Sequence, residues 1–161
     1  IMPPLKLLFD ECCSKRLARV LMDVYLEDCP KLETKHLTDE LEAGTEDQVW
    51  VKNLSEKDGW IVVSADRGKD PKKAKLPHLC IANKTTSVLF TSYLHTKTFF
   101  YQKHALLSVF PDLLLLPQVK KGTVVKLGVR PVSKGGGEVP RLTVENTHLR
   151  KWVMEHEGGD L

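Results

Sequence analysis

No apolar run in the chain approaches the roughly 20 residues a membrane-spanning helix needs, and Leu113 to Leu116 is far too short. The first residues also lack the charged, apolar, small-residue order of a secretory signal. Both absences predict a cytoplasmic protein with no membrane association. Cysteine is sparse and unpatterned: Cys12, Cys13, Cys29 and Cys80 form no CxxC pair, and none has a histidine at zinc-finger spacing. This argues against a structural zinc. Adjacent cysteines such as Cys12 and Cys13 seldom bridge each other, so reduced thiols are expected. No internal repeat is visible, and Ser64 lacks the flanking glycines of a nucleophile elbow, which leaves it capping or packing. The net charge of +3 is too small to identify a nucleic-acid partner by itself, so the distribution of charge matters more.

What is present suits one α/β domain. The chain has 161 residues, 42% of them hydrophobic and 28% charged, enough for one ordinary core but not for two. A core over about 5–116 and a strand and helix extension over about 117–161 are expected within it. The run Leu5-Lys6-Leu7-Leu8-Phe9 ends abruptly in Asp10 and Glu11, the pattern of a buried strand that delivers acids to a sheet edge. Trp60-Ile61-Val62-Val63-Ser64-Ala65-Asp66 repeats that design. Open α/β sheets place their sites beyond the carboxyl ends of parallel strands, so Asp10 and Asp66 are expected in one crevice. Carboxylates gathered there repel unless a cation lies between them, which points to a divalent metal.

Between these strands, Ser14 is placed to cap a helix with Leu17, Val20, Leu21 and Val24 on its apolar face. Lys15, Arg16 and Arg19 occupy the other face, with Arg16 a candidate RNA contact close to Asp10. Leu32 to Leu37 reads as a short strand and Glu40 to Thr45 as a loop. Thr45 is the expected N-cap of a helix with Glu46 and Asp47 in its first turn and Val49, Trp50, Val51 and Leu54 on its apolar face. Asp70 to Pro77 reads as a basic exposed loop. Leu79 to Ala82 suits helix or strand equally, and Ser87 to Thr91 reads as a strand. Thr98 to Phe110 reads as a helix stopped by Pro111, with Phe99, Phe100 and Tyr101 packed into the core. Late strands over Thr123 to Val129 and Leu142 to Glu145 flank a turn at Ser133 to Gly137, and a last helix lies near His148 to His156. The alternation predicts a mainly parallel sheet with an antiparallel pair at its late edge.

The order Leu8-Phe9-Asp10-Glu11, then the helical Ser14 to Tyr25, then Asp47 with Val49, then Val62-Val63-Ser64-Ala65-Asp66-Arg67 resembles the PIN-like domains of VapC-type toxins. The resemblance covers Leu5 to about Asp70 and continues more weakly through Pro111. It implies a three-layer fold and an endoribonuclease that uses Mg²⁺ or Mn²⁺. By position, Asp10, Asp47 and Asp66 would be the catalytic acids, and the metal would be held by these with Glu11 and Asp70. Cleavage would leave a 5′-phosphate and a 3′-hydroxyl. The resemblance also implies an RNA substrate, an antitoxin partner and a homodimer. The chain departs from the family where a further Asp often stands two residues after Asp66: it has Gly68 there, and Asp70 is the nearest substitute.

The basic cluster after Asp66 supplies Arg67, Lys69, Lys72 and Lys73 as candidate RNA contacts. Two other classes compete with the nuclease. A non-catalytic PIN-like module that binds RNA or protein is favoured by Gly68. A signalling receiver domain shares the acid pair after the first strand, and Thr91 has a counterpart there, but no Lys follows a later apolar strand in the required order. Metal-free acid–base cleavage would need a histidine pair such as His78 and His95 at one phosphate.

Overall fold

The computed structural model describes residues 4–42, 44–65, 75–131 and 135–158. Strand β1 (Leu5–Phe9) is followed by helix α1 (Lys15–Tyr25), β2 (Leu32–His36), the single turn α2 (Leu37–Glu40), α3 (Asp47–Ser55) and β3 (Trp60–Ser64). Then come α4 (Leu76–Ala82), β4 (Ser87–Phe90), α5 (Ser92–His95), α6 (Phe99–Ser108) and α7 (Phe110–Leu113). The chain closes with β5 (Val124–Pro131), β6 (Glu138–Val144), β7 (Thr147–His148) and α8 (Leu149–Trp152), which runs on into a wide final turn over Val153–Glu157.

These strands form one sheet in the order β2-β1-β3-β4-β5-β6-β7. The first five are parallel, and β5, β6 and β7 pair antiparallel at the late edge. The α/β expectation with its antiparallel extension therefore holds, and the architecture is consistent with a PIN-like fold. From β1 the chain crosses to β2 on one side and later returns to β3 on the other. The carboxyl ends of β1 and β3 thus flank the topological switch point, where open α/β sheets hold their sites.

Strand alternation divides the interior. Leu5, Leu7 and Phe9 of β1, Ile61 and Val63 of β3, and Val88 and Phe90 of β4 face a large core shared with Leu17 and Leu21 of α1 and Ala105 and Leu106 of α6. Leu8 and Val62 point the opposite way, into a smaller core with Trp50, Val51 and Leu54 of α3 and Leu76 and Cys80 of α4. Burial on both faces is why β1 and β3 read as continuous apolar runs.

Several local expectations need correction. The α3 N-cap is Glu46, without a side-chain cap bond, whereas the Thr45 hydroxyl donates to the Glu42 carbonyl at 2.8 Å. On α1 the buried residues are Leu17, Ala18 and Leu21, while Val24 is exposed because the sheet meets a face rotated toward Ala18. Val49 is likewise 48% exposed. Leu76 and Pro77 belong to α4 rather than to a basic loop, with Pro77 in the first turn where no amide donor is needed. Pro111 similarly starts α7, and α6 has already ended at Ser108. Leu79 to Ala82 is helical. Strands β5 and β6 run longer than expected because each extends the other's hydrogen-bond ladder toward the turn, of which Gly135 to Gly137 are described.

Gly128 of β5 marks a close approach. A Cβ there would lie 2.7 Å from Cγ2 of Thr91, whose hydroxyl caps α5 and whose amide donates to the Leu127 carbonyl at 2.9 Å. Gly128→Ala should therefore lower unfolding free energy by about 1–3 kcal/mol in urea denaturation. Thr91→Ser removes the clashing methyl but keeps the cap, so the double variant should recover most of that loss.

Candidate active site

Asp10 follows β1 directly and is 3% exposed. Its amide donates to the Val63 carbonyl at 3.0 Å, extending the β1–β3 pairing by one residue, and its carbonyl accepts from the Cys13 amide at 3.0 Å in a tight turn. Within that turn the Cys12 amide donates to Oδ1 at 3.1 Å. From the end of β3, the Ser64 hydroxyl donates to Oδ2 at 2.5 Å. Both carboxylate oxygens thus have a protein donor. A carboxylate with its orientation fixed in this way is prepared to meet a ligand in one geometry.

The turn is braced from β2. His36 is buried and acts on two sides: Nε2 lies 2.7 Å from the Cys13 carbonyl and Nδ1 2.8 Å from the Thr38 hydroxyl. Across the smaller core, Asp47 stands in the first turn of α3, where it complements the helix dipole. Its Oδ1 accepts from the indole nitrogen of Trp50 at 2.9 Å, so a buried ring one turn along fixes this carboxylate.

Both acids bear on one buried thiol. The Cys80 thiol on α4 is pushed up to about 12, chiefly by burial and then by the negative charges of Asp10 and Asp47. The Cys13 thiol is also raised, by burial first and Asp10 second. A wall of neutral sulfur and hydrocarbon thus lies near Asp10 on either face of the sheet, with Cys13 in the larger core and Cys80 in the smaller. Near such a wall, carboxylate charge is poorly screened and attracts a cation strongly.

Of the other expected site residues, Glu11 is exposed and borders a separate cavity of about 140 Å³ with Thr38, Leu41, Glu42 and Thr45. Arg16 lies in the first turn of α1, with its guanidinium carbon 3.8 Å from the centre of the Phe99 ring. Asp66, Arg67, Lys69, Asp70, Lys72 and Lys73 lie outside the described residues, as does Gly68. Among the described residues no cluster of three or more His, Cys, Asp or Glu side chains is arranged to hold a metal. Asp10 and Asp47 fit a hard cation as oxygen donors, and the chain continues from the buried Ala65 directly into Asp66, the next acid in the expected set.

A PIN-like domain family model matches residues 5–77. That span runs from β1 into the first turn of α4 and includes Asp10, Asp47 and Asp66, although it is a little less than half of the chain. No curated protein and no solved structure matches the chain. The matched region therefore includes β1 and β3, the strands whose carboxyl ends flank the switch point.

Ser64, His36 and Cys80 bear on Asp10 or its turn in ways that sequence reasoning did not identify. Ser64 and His36 meet the Asp10 turn only through strand pairing, and no local pattern announces either. The Asp47–Trp50 bond had a visible signal in its three-residue spacing on one helix.

The thiols give a direct check of this wall. At pH 8 an aromatic disulfide reagent should modify one cysteine of the native protein rapidly, and Cys12→Ser should remove that reaction, because Cys13, Cys29 and Cys80 are buried. A thiol whose folded pKa is raised keeps its proton longer in the native state. Stability should thus fall as pH rises from the ordinary 9.0 toward about 12, and Cys80→Ala should make that fall shallower in denaturation midpoints.

Proposed function

We propose that the chain is a metal-dependent endoribonuclease of the PIN-like type. The observation that carries the reading is the buried Asp10 carboxylate, fixed by Ser64 and the Cys12 amide at the switch point of the sheet within the matched region. Asp10 and Asp47, joined by Asp66 and Asp70, would hold Mg²⁺ or Mn²⁺. When bound, the ion supplies Lewis acidity, which acidifies the attacking water and offsets charge at the scissile phosphate.

The chain's own groups do the rest. Ser64 and the Cys12 amide keep Asp10 from rotating, and Trp50 does the same for Asp47. The apolar floor of Leu8, Val62 and Cys80 excludes water from beneath the acids. Arg67, Lys69, Lys72 and Lys73 follow Asp66 in sequence and would neutralise incoming phosphates. No side-chain nucleophile is required, in keeping with Ser64 donating its proton to Asp10 rather than standing exposed. The narrower form of the proposal is a VapC-type toxin acting in the cytoplasm and held in check by an antitoxin.

The test is RNA cleavage by the purified chain. Discrete fragments should appear in Mg²⁺ or Mn²⁺, vanish with EDTA, and be lost in Asp10→Asn. Ser64→Ala, which keeps the acid but frees its orientation, should lower metal affinity or activity about 10–100-fold. RNA that is bound yet left whole at high metal would instead support a non-catalytic PIN-like module, with Gly68→Asp the variant to try for gain of cleavage.

A further inference from the structure

Helix α6 begins with Phe99, Phe100 and Tyr101, and the structure does not bury them as a block. Phe100 is 72% exposed, while Phe99 and Tyr101 are half-buried at the margin of the larger core. Cations gather on these rings. The Arg16 guanidinium lies 3.8 Å from the Phe99 centroid, and Lys103 lies 5.7 Å from Phe99 and 5.3 Å from Phe100. Lys97 stands 4.2 Å from the Tyr93 ring and 5.5 Å from Tyr101.

None of Arg16, Lys97 and Lys103 is ion-paired to a carboxylate among the described residues. The stretch 92–108 contains Lys97, Lys103, His95 and His104 but no acid. Glu138 of the adjoining β6 is engaged by the hydroxyls of both Tyr93 and Tyr101, which hold its carboxyl below the usual range and so keep it ionised. The surface is therefore aromatic and mainly cationic, with Glu138 at its edge. It also adjoins the acids: Arg16 belongs to the first turn of α1, which follows the Asp10–Cys13 turn in the chain.

We propose that the α5–α6 surface, with Phe100 at its centre and Arg16, Lys97 and Lys103 around it, is a stacking platform for unpaired bases of RNA. An exposed ring offers its face to any base, and the unpaired cations take the adjoining phosphates. A duplex keeps its bases stacked inside and has none to offer Phe100, so the platform selects single strands. Its link to cleavage rests on the nuclease reading above; its binding does not.

The experiment measures fluorescence anisotropy of a labelled single-stranded RNA in the Asp10→Asn background, which keeps the probe intact. Phe100→Ala removes a ring that supports no core, and it should weaken binding roughly tenfold while leaving the salt slope of log K unchanged. Lys103→Gln should reduce that slope by about 0.7. Duplex RNA should bind more weakly and ignore Phe100→Ala. Wild-type affinity for single strands in folded Phe100→Ala would overturn the platform, even if the parent protein cuts RNA. Loss of binding in Phe100→Ala alongside a parent that cuts nothing would uphold the platform and sink only the nuclease. A Phe100-dependent dimer in sedimentation, with RNA affinity unaltered, would overturn the proposal in favour of a protein contact.

Discussion

The bond from the Ser64 hydroxyl to the Asp10 carboxylate, between residues 54 positions apart, joins the ends of the adjacent strands β1 and β3. A carboxylate this deeply buried is costly unless hydrogen-bonded, so its donors and the sheet register must be set together. A slip of one residue between β1 and β3 would turn Ser64 to the opposite face and leave the acid with the Cys12 amide alone among these two donors. The site and the central pairing of the fold are in this sense one constraint. His36 extends it to the edge strand by tying β2 to the same turn.

The two cores have different tasks around this point. The larger one, with α1 and α6 against the sheet, supplies most of the buried apolar surface and holds the first turn of α1 beside Asp10. The smaller one is thinner, and it sets Asp47 and Cys80 under the opposite wall. Its apolar and thiol lining keeps the local dielectric low, which strengthens whatever charge the acids meet. The same burial raises the Cys80 thiol, and the charges of Asp10 and Asp47 add to that rise.

The carboxyl-end surface changes sign between the acids and the cations gathered on α5 and α6. Arg16 connects the two regions, since α1 packs against α6 and its guanidinium covers Phe99. The antiparallel β5–β6 ladder contributes Glu138, which fixes the tyrosines of that surface and holds the α5–α6 corner to the sheet. The late strands therefore have a structural part in shaping the carboxyl end although they lie outside the matched PIN-like region.

The sequence by itself determined what local chemistry controls. Continuous apolar runs made β1 and β3 buried strands, Ser14 capped α1 as its hydroxyl chemistry requires, and the acid at the end of the first run marked Asp10 as a candidate. Tertiary structure decided everything that depends on which face meets the sheet. Three consecutive aromatic residues cannot all enter a core from one helix, and only the packing of α6 against α1 left Phe100 outside and Phe99 half covered. Thr45 lost the cap to Glu46 because its hydroxyl found the Glu42 carbonyl instead. Ser64 became a partner of Asp10 through strand register, a long-range pairing of backbones that leaves no mark on either residue's neighbours in the chain.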